Sequence, residues 1–242
     1  MKLKSLLVIA ISLLLVFLIY LTTLDKKVYY LALGDSLAVG INPYLNQDYG
    51  YTDYVHDYLE DKDLLERYVS GFAVDGYRVV DLLHDIEDNR SIMIEDKSQT
   101  IKNALIKADL ITLSIGNEEL LYKINRGIID LNSVYEYVDD LLLDMNALFS
   151  KMREYCKEDV MVLSFYNPYE SVTDDVLDVF DYANSRLKQL CDKYNIIYID
   201  IYSVFFQSDY FVNPNSYYPS KEGYQKIAEQ LILEMDGTLL NE

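Results

Sequence analysis

The stretch Val28-Tyr29-Tyr30-Leu31-Ala32-Leu33-Gly34-Asp35-Ser36-Leu37-Ala38-Val39-Gly40 decides how this chain folds. Its apolar run ends at Gly34, and a serine follows two residues later on a tight turn. An apolar strand that stops at a glycine and leads into a serine presents the hydroxyl at the carboxyl end of a parallel strand. The pattern therefore predicts Ser36 as a candidate nucleophile.

Strand-like and helix-like segments alternate from residue 28 to the end of the chain. The predicted strands are Val28–Leu33, Arg67–Phe72, Leu110–Ile115, Val160–Phe165 and Ile196–Ile201. The amphipathic stretches with apolar residues at helical spacing are Tyr51–Leu65, Val79–Ile86, Leu131–Tyr155, Asp174–Tyr194 and Ser220–Met235. This alternation predicts a three-layer α/β/α domain with a five-stranded parallel sheet, whose site lies at the carboxyl ends of the strands.

The chain divides into an N-terminal segment, residues 1–27, and one domain, residues 28–242. Residues Ser5 to Leu24 are uncharged and apolar over about the length of a transmembrane helix. Two lysines precede this segment and favour an inside N-terminus. A cleaved signal peptide is the alternative, although Leu21–Asp25 is a poor cleavage site. We expect a single-pass membrane anchor with the domain outside the cytoplasmic membrane.

Charge and cysteine content limit the possible partners and cofactors. The formal net charge of −19 repels nucleic acid and anionic membrane surfaces. Cys156 and Cys191 are the only cysteines, too few for a disulfide framework and without metal-ligand spacing. A disulfide outside the cell and two buried free thiols are both compatible with their positions. Because no cluster of histidines, cysteines or carboxylates has ligand spacing, we expect no metal and no cofactor.

The Gly34-Asp35-Ser36 triplet, followed by Leu37-Ala38-Val39-Gly40, resembles the first block of the SGNH/GDSL hydrolase family. Members of that family hydrolyse esters or transfer acyl groups with this serine on a flavodoxin-like fold, and the resemblance extends over nearly all of residues 28–235. It implies that Ser36 is the nucleophile and that its backbone N–H is an oxyanion donor. It also implies that the backbone N–H of Gly76 is an oxyanion donor and that Asp35 and Tyr217 bind substrate. The family's serine chemistry needs no cofactor.

The loop Gly116-Asn117-Glu118-Glu119 departs from the family pattern. The family has Gly-x-Asn-Asp here, and the asparagine side chain donates a hydrogen bond to the oxyanion. In this register Glu118 occupies the asparagine position and Glu119 the aspartate position. A carboxylate at the asparagine position would repel a developing oxyanion. A shift of one residue would give that role to Asn117, and both assignments remain open at the level of sequence.

The last loop departs further, because the family pattern Asp-x-x-His-Pro reads Asn215-Ser216-Tyr217-Tyr218-Pro219 in this chain. The aspartate position is therefore Asn215 and the histidine position is Tyr218. A serine hydroxyl needs a base as it attacks, and a phenol with a pKa of about 10 is a poor base at neutral pH. The two histidines, His56 and His84, lie on predicted helices that lead away from the strand ends.

These departures favour a catalytically impaired protein that binds an acyl- or glycan-type ligand, or an envelope protein, in the former catalytic cleft. Aromatic residues of the last loop would line that cleft, namely Tyr210, Phe211, Tyr217 and Tyr218. One alternative is an active esterase or acyltransferase that uses Ser36 with a non-standard base such as Glu118. The other is a structural part of an envelope complex, in which the cleft has no role.

Overall fold

The computed structural model describes residues 27–125, 131–169, 172–206 and 208–238. The predicted membrane segment, residues 5–24, lies outside these ranges. Within them, no helix combines the length and the apolar character needed to span a bilayer.

The described elements alternate along the chain as the sequence predicts. The strands are β1 (Val28–Gly34), β2 (Leu65–Val69), β3 (Ser91–Ile94), β4 (Lys97–Thr100), β5 (Leu110–Ser114), β6 (Asp159–Leu163) and β7 (Ile197–Ile199). The helices are α1 (Ser36–Val39), α2 (Tyr51–Asp61), α3 (Val79–Glu87), α4 (Ile101–Lys107), α5 (Asn117–Asn125), α6 (Leu131–Tyr155), α7 (Asp174–Tyr194), α8 (Tyr202–Phe205) and α9 (Lys221–Thr238).

Five parallel strands form the main sheet in the order β2-β1-β5-β6-β7. Every residue of β1 and β5 is buried, as expected for parallel strands covered on both faces. Apolar side chains of α3, α4, α5, α6 and α7 form one core against the sheet. Those of α1, α2, α8 and α9 form a second core on the opposite face. The predicted three-layer α/β/α architecture is therefore confirmed.

The second strand begins earlier than the sequence pattern indicates. Strand β2 covers Leu65–Val69 rather than Arg67–Phe72, and α2 ends at Asp61 rather than at Leu65. Asp63 takes a left-handed conformation with φ of 55°, which turns the chain out of the helix before its apolar pattern ends. The Leu64 carbonyl then accepts a hydrogen bond from the backbone N–H of Val28, so pairing with β1 starts at once.

Strands β3 and β4 form an antiparallel hairpin that the sequence did not indicate. The turn between them consists of Glu95 and Asp96, both with positive φ, 47° and 62°. Such turns usually carry Asn-Gly or Asp-Gly, because those residues adopt left-handed conformations at little cost. With two acidic residues in their place, the common sequence signal for a hairpin is missing.

Both cysteines are buried free thiols. Burial raises the pKa of the Cys191 thiol to about 12, so this group stays protonated at neutral pH. Of the two possibilities that the sequence left open, the structure has the unbonded pair.

The close contact between β1 and β5 at Gly34 sets the geometry of the carboxyl edge of the sheet. Gly34 has φ of 132°, and a Cβ added there would lie 2.0 Å from the carbonyl oxygen of Ser114. The Gly34 carbonyl also accepts a hydrogen bond of 3.0 Å from the backbone N–H of Val74. The loops that follow β1, β2 and β5 are therefore brought together at one point.

We predict that Gly34→Ala lowers the free energy of unfolding by about 3 kcal/mol, because the methyl group overlaps backbone that cannot move without separating β1 from β5. Gly76→Ala is the matched control. Gly76 has φ of 74°, and a Cβ there would meet no atom within 4 Å. It should cost only about 1 kcal/mol of left-handed strain. Urea denaturation of the two variants compares these costs, and equal losses would contradict the role assigned to the β1–β5 contact.

Candidate active site

Ser36 is the first residue of α1 and is held by the turn that follows β1. Asp35 precedes it as the N-cap, and its Oδ1 accepts a hydrogen bond of 3.1 Å from the backbone N–H of Leu37. The same Oδ1 accepts a hydrogen bond of 3.0 Å from Ser114 Oγ on β5. Asp35 is 2% exposed, so its carboxyl group lies below the surface of the cleft. The sequence-based prediction for Asp35 was that it binds substrate.

The hydroxyl of Ser36 is held by the loop after β2. Ser36 Oγ donates to Asp75 Oδ1 at 2.6 Å and accepts from the backbone N–H of Gly76 at 2.9 Å. This loop reaches Ser36 because the N–H of Val74 is bound to the end of β1. The predicted oxyanion donor Gly76 is therefore beside the serine. Sequence reasoning missed Asp75, although it directly precedes the glycine that was singled out.

Glu118, near the start of α5, extends toward Ser36. Its Oε1 accepts from the Tyr218 hydroxyl at 3.0 Å, and its Oε2 accepts from the Tyr217 hydroxyl at 3.4 Å. Burial raises the pKa of Glu118, while the nearby hydroxyl groups of Ser36 and Tyr218 lower it and the charge of Asp75 raises it further. Of the two candidates for the family's asparagine position, Glu118 is the one that interacts with the serine.

Tyr218 lies beside the serine at the position where the family pattern has histidine. Burial raises the pKa of Tyr218 far above its ordinary value, against the lowering effect of a hydrogen bond with Ser36. The phenol is therefore neutral and cannot accept the serine proton. Asn215, at the aspartate position, is exposed, and its backbone N–H binds Asn213 Oδ1 at 3.1 Å.

Asn117 and Glu119 serve the structure around the cleft. Asn117 Oδ1 accepts the backbone N–H of Tyr166 at 2.8 Å, which joins the start of α5 to the loop after β6. Glu119 Oε2 accepts the backbone N–H of Val79 at 2.9 Å and thereby caps α3. Asn117 Nδ2 is buried and has no hydrogen-bond partner among the described residues.

Neither histidine is a hydrogen-bond partner of Ser36. His56 lies on α2, where its Nδ1 is 2.9 Å from Asp57 Oδ1 and its ring is 4.9 Å from that of Tyr68. His84 is exposed on α3. Around His56, one group of side chains in the described ranges lies close enough to share a metal ion, namely His56, Asp57 and Glu60. This group lies on the body of α2, away from the serine turn.

The electrostatic character of the site is set by three carboxyl groups, those of Asp35, Asp75 and Glu118. Burial raises the pKa of Asp35 well above its ordinary value, and the nearby charge of Glu118 raises it further. In the described part of the chain, none of the three forms an ion pair with a lysine, arginine or histidine. The cleft therefore presents carboxyl groups and hydrogen-bond acceptors beside Ser36, together with the backbone N–H of Gly76 as a donor.

Comparison with known proteins places this geometry in a family. The sequence profile of the GDSL-like Lipase/Acylhydrolase family matches residues 30–231. The lipase Lip_vut3 from a goat rumen metagenome has a similar structure, with a TM-score of 0.70 and 26% identity over 84% of this chain and 95% of that one. Axe2, an acetylxylan esterase from Geobacillus stearothermophilus, has a TM-score of 0.65 and 18% identity, over 87% and 95% of the two chains. A search of curated proteins found no match.

We predict that Glu118→Gln makes the protein less sensitive to rising pH. Because the folded-state pKa of Glu118 is raised, its contribution to stability is fully present below the unfolded-state value and is lost as pH rises through the folded-state value. The neutral amide removes that loss, so the variant should be more stable than the wild type at pH 8 by about 1 kcal/mol. Urea denaturation between pH 5 and pH 8 measures the difference.

Glu66→Gln is the control for this experiment, because it removes the same charge from an exposed position on β2. Its pH dependence should follow that of the wild type. If both variants changed the pH dependence alike, the effect would come from net charge and not from the cleft.

Proposed function

Because the chain belongs to the GDSL-like lipase/acylhydrolase family, we propose that it is a catalytically impaired member whose former ester-hydrolysing cleft binds a ligand. One observation carries this proposal. The Tyr218 hydroxyl donates a hydrogen bond of 3.0 Å to Glu118 Oε1 beside Ser36. In the family pattern, Glu118 occupies the oxyanion-donor position and Tyr218 the base position. The two groups that should respectively stabilise the oxyanion and remove the serine proton are thus engaged with one another.

Each step of ester hydrolysis meets an obstacle in this arrangement. Attack by Ser36 requires a base for its proton, and the neutral phenol of Tyr218 cannot take it. The tetrahedral intermediate requires hydrogen-bond donors, and an ionised Glu118 offers an acceptor and a negative charge instead. Loss of one oxyanion donor alone reduces kcat about 10²–10³-fold, and loss of triad members leaves only about 10³–10⁴-fold over water. The combined departures support binding without turnover.

The ligand that this cleft suits is an acyl-bearing sugar. Aromatic rings lie beside the polar centre: Tyr217 and Tyr218 are 4.6 Å apart, and Phe211 is stacked on Tyr166 at 5.6 Å. Aromatic faces with polar edges pack against the apolar faces of sugars and against acyl chains. The carboxyl groups of Asp75 and Glu118 can accept hydrogen bonds from sugar hydroxyls. The structural likeness to an acetylxylan esterase supports the same ligand class.

We propose further that the domain works in the cell envelope. The uncharged apolar segment Ser5 to Leu24, preceded by two lysines, supports a signal anchor with the domain outside the cytoplasmic membrane. Acylated cell-wall glycans or envelope proteins would be within reach of such a domain.

A second candidate function is favoured by a single contact. The hydrogen bond of 2.6 Å from Ser36 Oγ to Asp75 Oδ1 places a carboxylate where it could accept the serine proton. The protein would then be a slow esterase that uses Ser36 with Asp75 as its base. Glu118, the base predicted from the sequence for an active enzyme, already accepts hydrogen bonds from two phenols.

We predict that the full chain, purified in detergent, binds an acetylated xylo-oligosaccharide without deacetylating it. Calorimetry should detect binding, and release of acetate should not exceed that of Ser36→Ala. Tyr217→Ala removes an aromatic face from the cleft and should weaken binding about tenfold, a loss of about 1.4 kcal/mol. Tyr155→Ala removes a tyrosine from the end of α6, at the opposite edge of the sheet, and should leave binding unchanged.

The two candidate functions give different results in this experiment. Acetate release that disappears in both Ser36→Ala and Asp75→Asn would contradict the impaired site and support Asp75 as the base. Absence of both binding and turnover would contradict both candidates and leave the structural role in an envelope complex.

We also predict that activity can be restored by reversing three residues together. Asn215→Asp with Tyr218→His supplies the missing base and the carboxylate that orients it. Glu118 still opposes the oxyanion in this double variant. Adding Glu118→Asn converts the opposing carboxylate into a donor and should raise hydrolysis of p-nitrophenyl acetate about 10²–10³-fold over the double variant. Initial rates at pH 7.5 measure the effect.

The same triple change combined with Ser36→Ala is the control for this experiment, and it should return to background. If the double and triple variants were equally active, Glu118 would not occupy the oxyanion-donor position.

A further inference from the structure

A small cavity lies beneath the serine turn, between β5, β6 and the start of α5. Its volume is about 10 Å³. Three of its polar lining groups come from Asp35, Asn117 and Glu118, while much of the rest of its wall is apolar. Ser36 is not part of its lining, and Glu118 belongs both to this cavity and to the cleft. The cavity therefore joins the buried carboxyl group of Asp35 to that of Glu118.

One group in this cavity needs a partner. Asn117 is 7% exposed, and its Nδ2 makes no hydrogen bond within the described part of the chain. The orientation of the amide is fixed by its other end, because Oδ1 accepts the backbone N–H of Tyr166. A buried donor without an acceptor costs about 1–3 kcal/mol. An acceptor inside the cavity would remove that cost.

We propose that the cavity binds one water molecule, which accepts a hydrogen bond from Asn117 Nδ2 and donates to the carboxyl groups of Asp35 and Glu118. The volume is about that needed for a single water, and three partners is the usual number for a buried water. Asn117 is then a positioning residue for Glu118, acting through the water. The assignment goes beyond the proposed function and holds whether or not the cleft is active.

The chemistry of the cavity selects water over a cation. Two carboxyl groups by themselves would also attract a sodium ion, but the amide of Asn117 presents its N–H to the cavity, and an N–H repels a cation. A water molecule satisfies both kinds of group, because it accepts once and donates twice. The water also links Asp35 and Glu118, whose pKa values are both raised by burial, so that one proton can be shared between them.

The proposal predicts a long-lived water contact at one asparagine side chain. The full chain, labelled with ¹⁵N-asparagine and purified in detergent, should show a water cross-peak to the Asn117 amide protons with the sign of a bound water. Asn184 is an internal control, because its Oδ1 and Nδ2 are both paired with the backbone of Phe165, at 2.9 Å and 3.0 Å. It should show no such cross-peak. Asn117→Asp identifies the Asn117 resonance by its loss.

Two further measurements do not depend on the folding of a variant at Asn117. A crystal structure of the full chain at about 1.5 Å should show a water 2.7–3.2 Å from Asn117 Nδ2. In Glu118→Gln the cross-peak should persist, because the amide carbonyl still accepts a hydrogen bond. A resolved Asn117 signal without a water contact would overturn the proposal. So would a crystal structure in which the cavity holds a cation or shows no electron density. These outcomes are independent of ligand binding and turnover in the cleft.

Discussion

The near contact of β1 and β5 at Gly34 is the constraint on which the site depends. Because Gly34 has no side chain, the backbone of β1 approaches the carbonyl of Ser114 more closely than any other residue would allow. The turn after β1, the loop after β2 and the start of α5 then converge within hydrogen-bond distance of one hydroxyl. The groups that bind Ser36 reach it through this edge of the sheet, and side-chain hydrogen bonds of Asp35 and Asp75 then hold the turn and the hydroxyl in place.

The loops that converge on Ser36 bring several carboxyl groups, which are hydrogen-bond acceptors. Asp75 accepts a hydrogen bond from the serine hydroxyl, and Glu118 lies at the oxyanion-donor position of the family pattern. Asp35 is buried behind them. Moving negative charge onto a substrate oxygen here would add a charge near Asp35 and Glu118, whose carboxyl groups are already difficult to ionise because burial raises the pKa of both. A neutral ligand that donates hydrogen bonds meets no such obstacle. Under the proposed function, these carboxyl groups oppose the family's reaction in addition to the absence of an imidazole at position 218.

The sequence predicted the elements of the fold where burial decides them and failed where local conformation does. The apolar runs of β1, β5 and β6 identify buried strands, and the order of loops indicates which residues share an edge. The hairpin of β3 and β4 escaped notice because its turn uses Glu95 and Asp96 in left-handed conformations. The site predicted from the sequence lacked Asp75 because a tertiary contact brings this residue to Ser36. That contact is the hydrogen bond from the Val74 N–H to the end of β1. The choice between Asn117 and Glu118 depended on which side chain turns back toward Tyr166.

The departures from the family pattern at Glu118 and Tyr218 are coupled, because the two side chains are hydrogen-bond partners. A buried tyrosine hydroxyl needs an acceptor, and Glu118 supplies one at 3.0 Å. A partly buried glutamate needs donors, and Tyr218 supplies one of them, with Tyr217 supplying the other. An asparagine at position 118 would satisfy the phenol less well, and a histidine at position 218 would face Glu118 as well as Ser36. Under the proposed function, neither reversal alone would recover the family's geometry, because Glu118 and Tyr218 are hydrogen-bonded to each other. The loop that carries Tyr217 and Tyr218 is also held elsewhere, because the Tyr166 hydroxyl donates to the Tyr217 carbonyl at 2.9 Å.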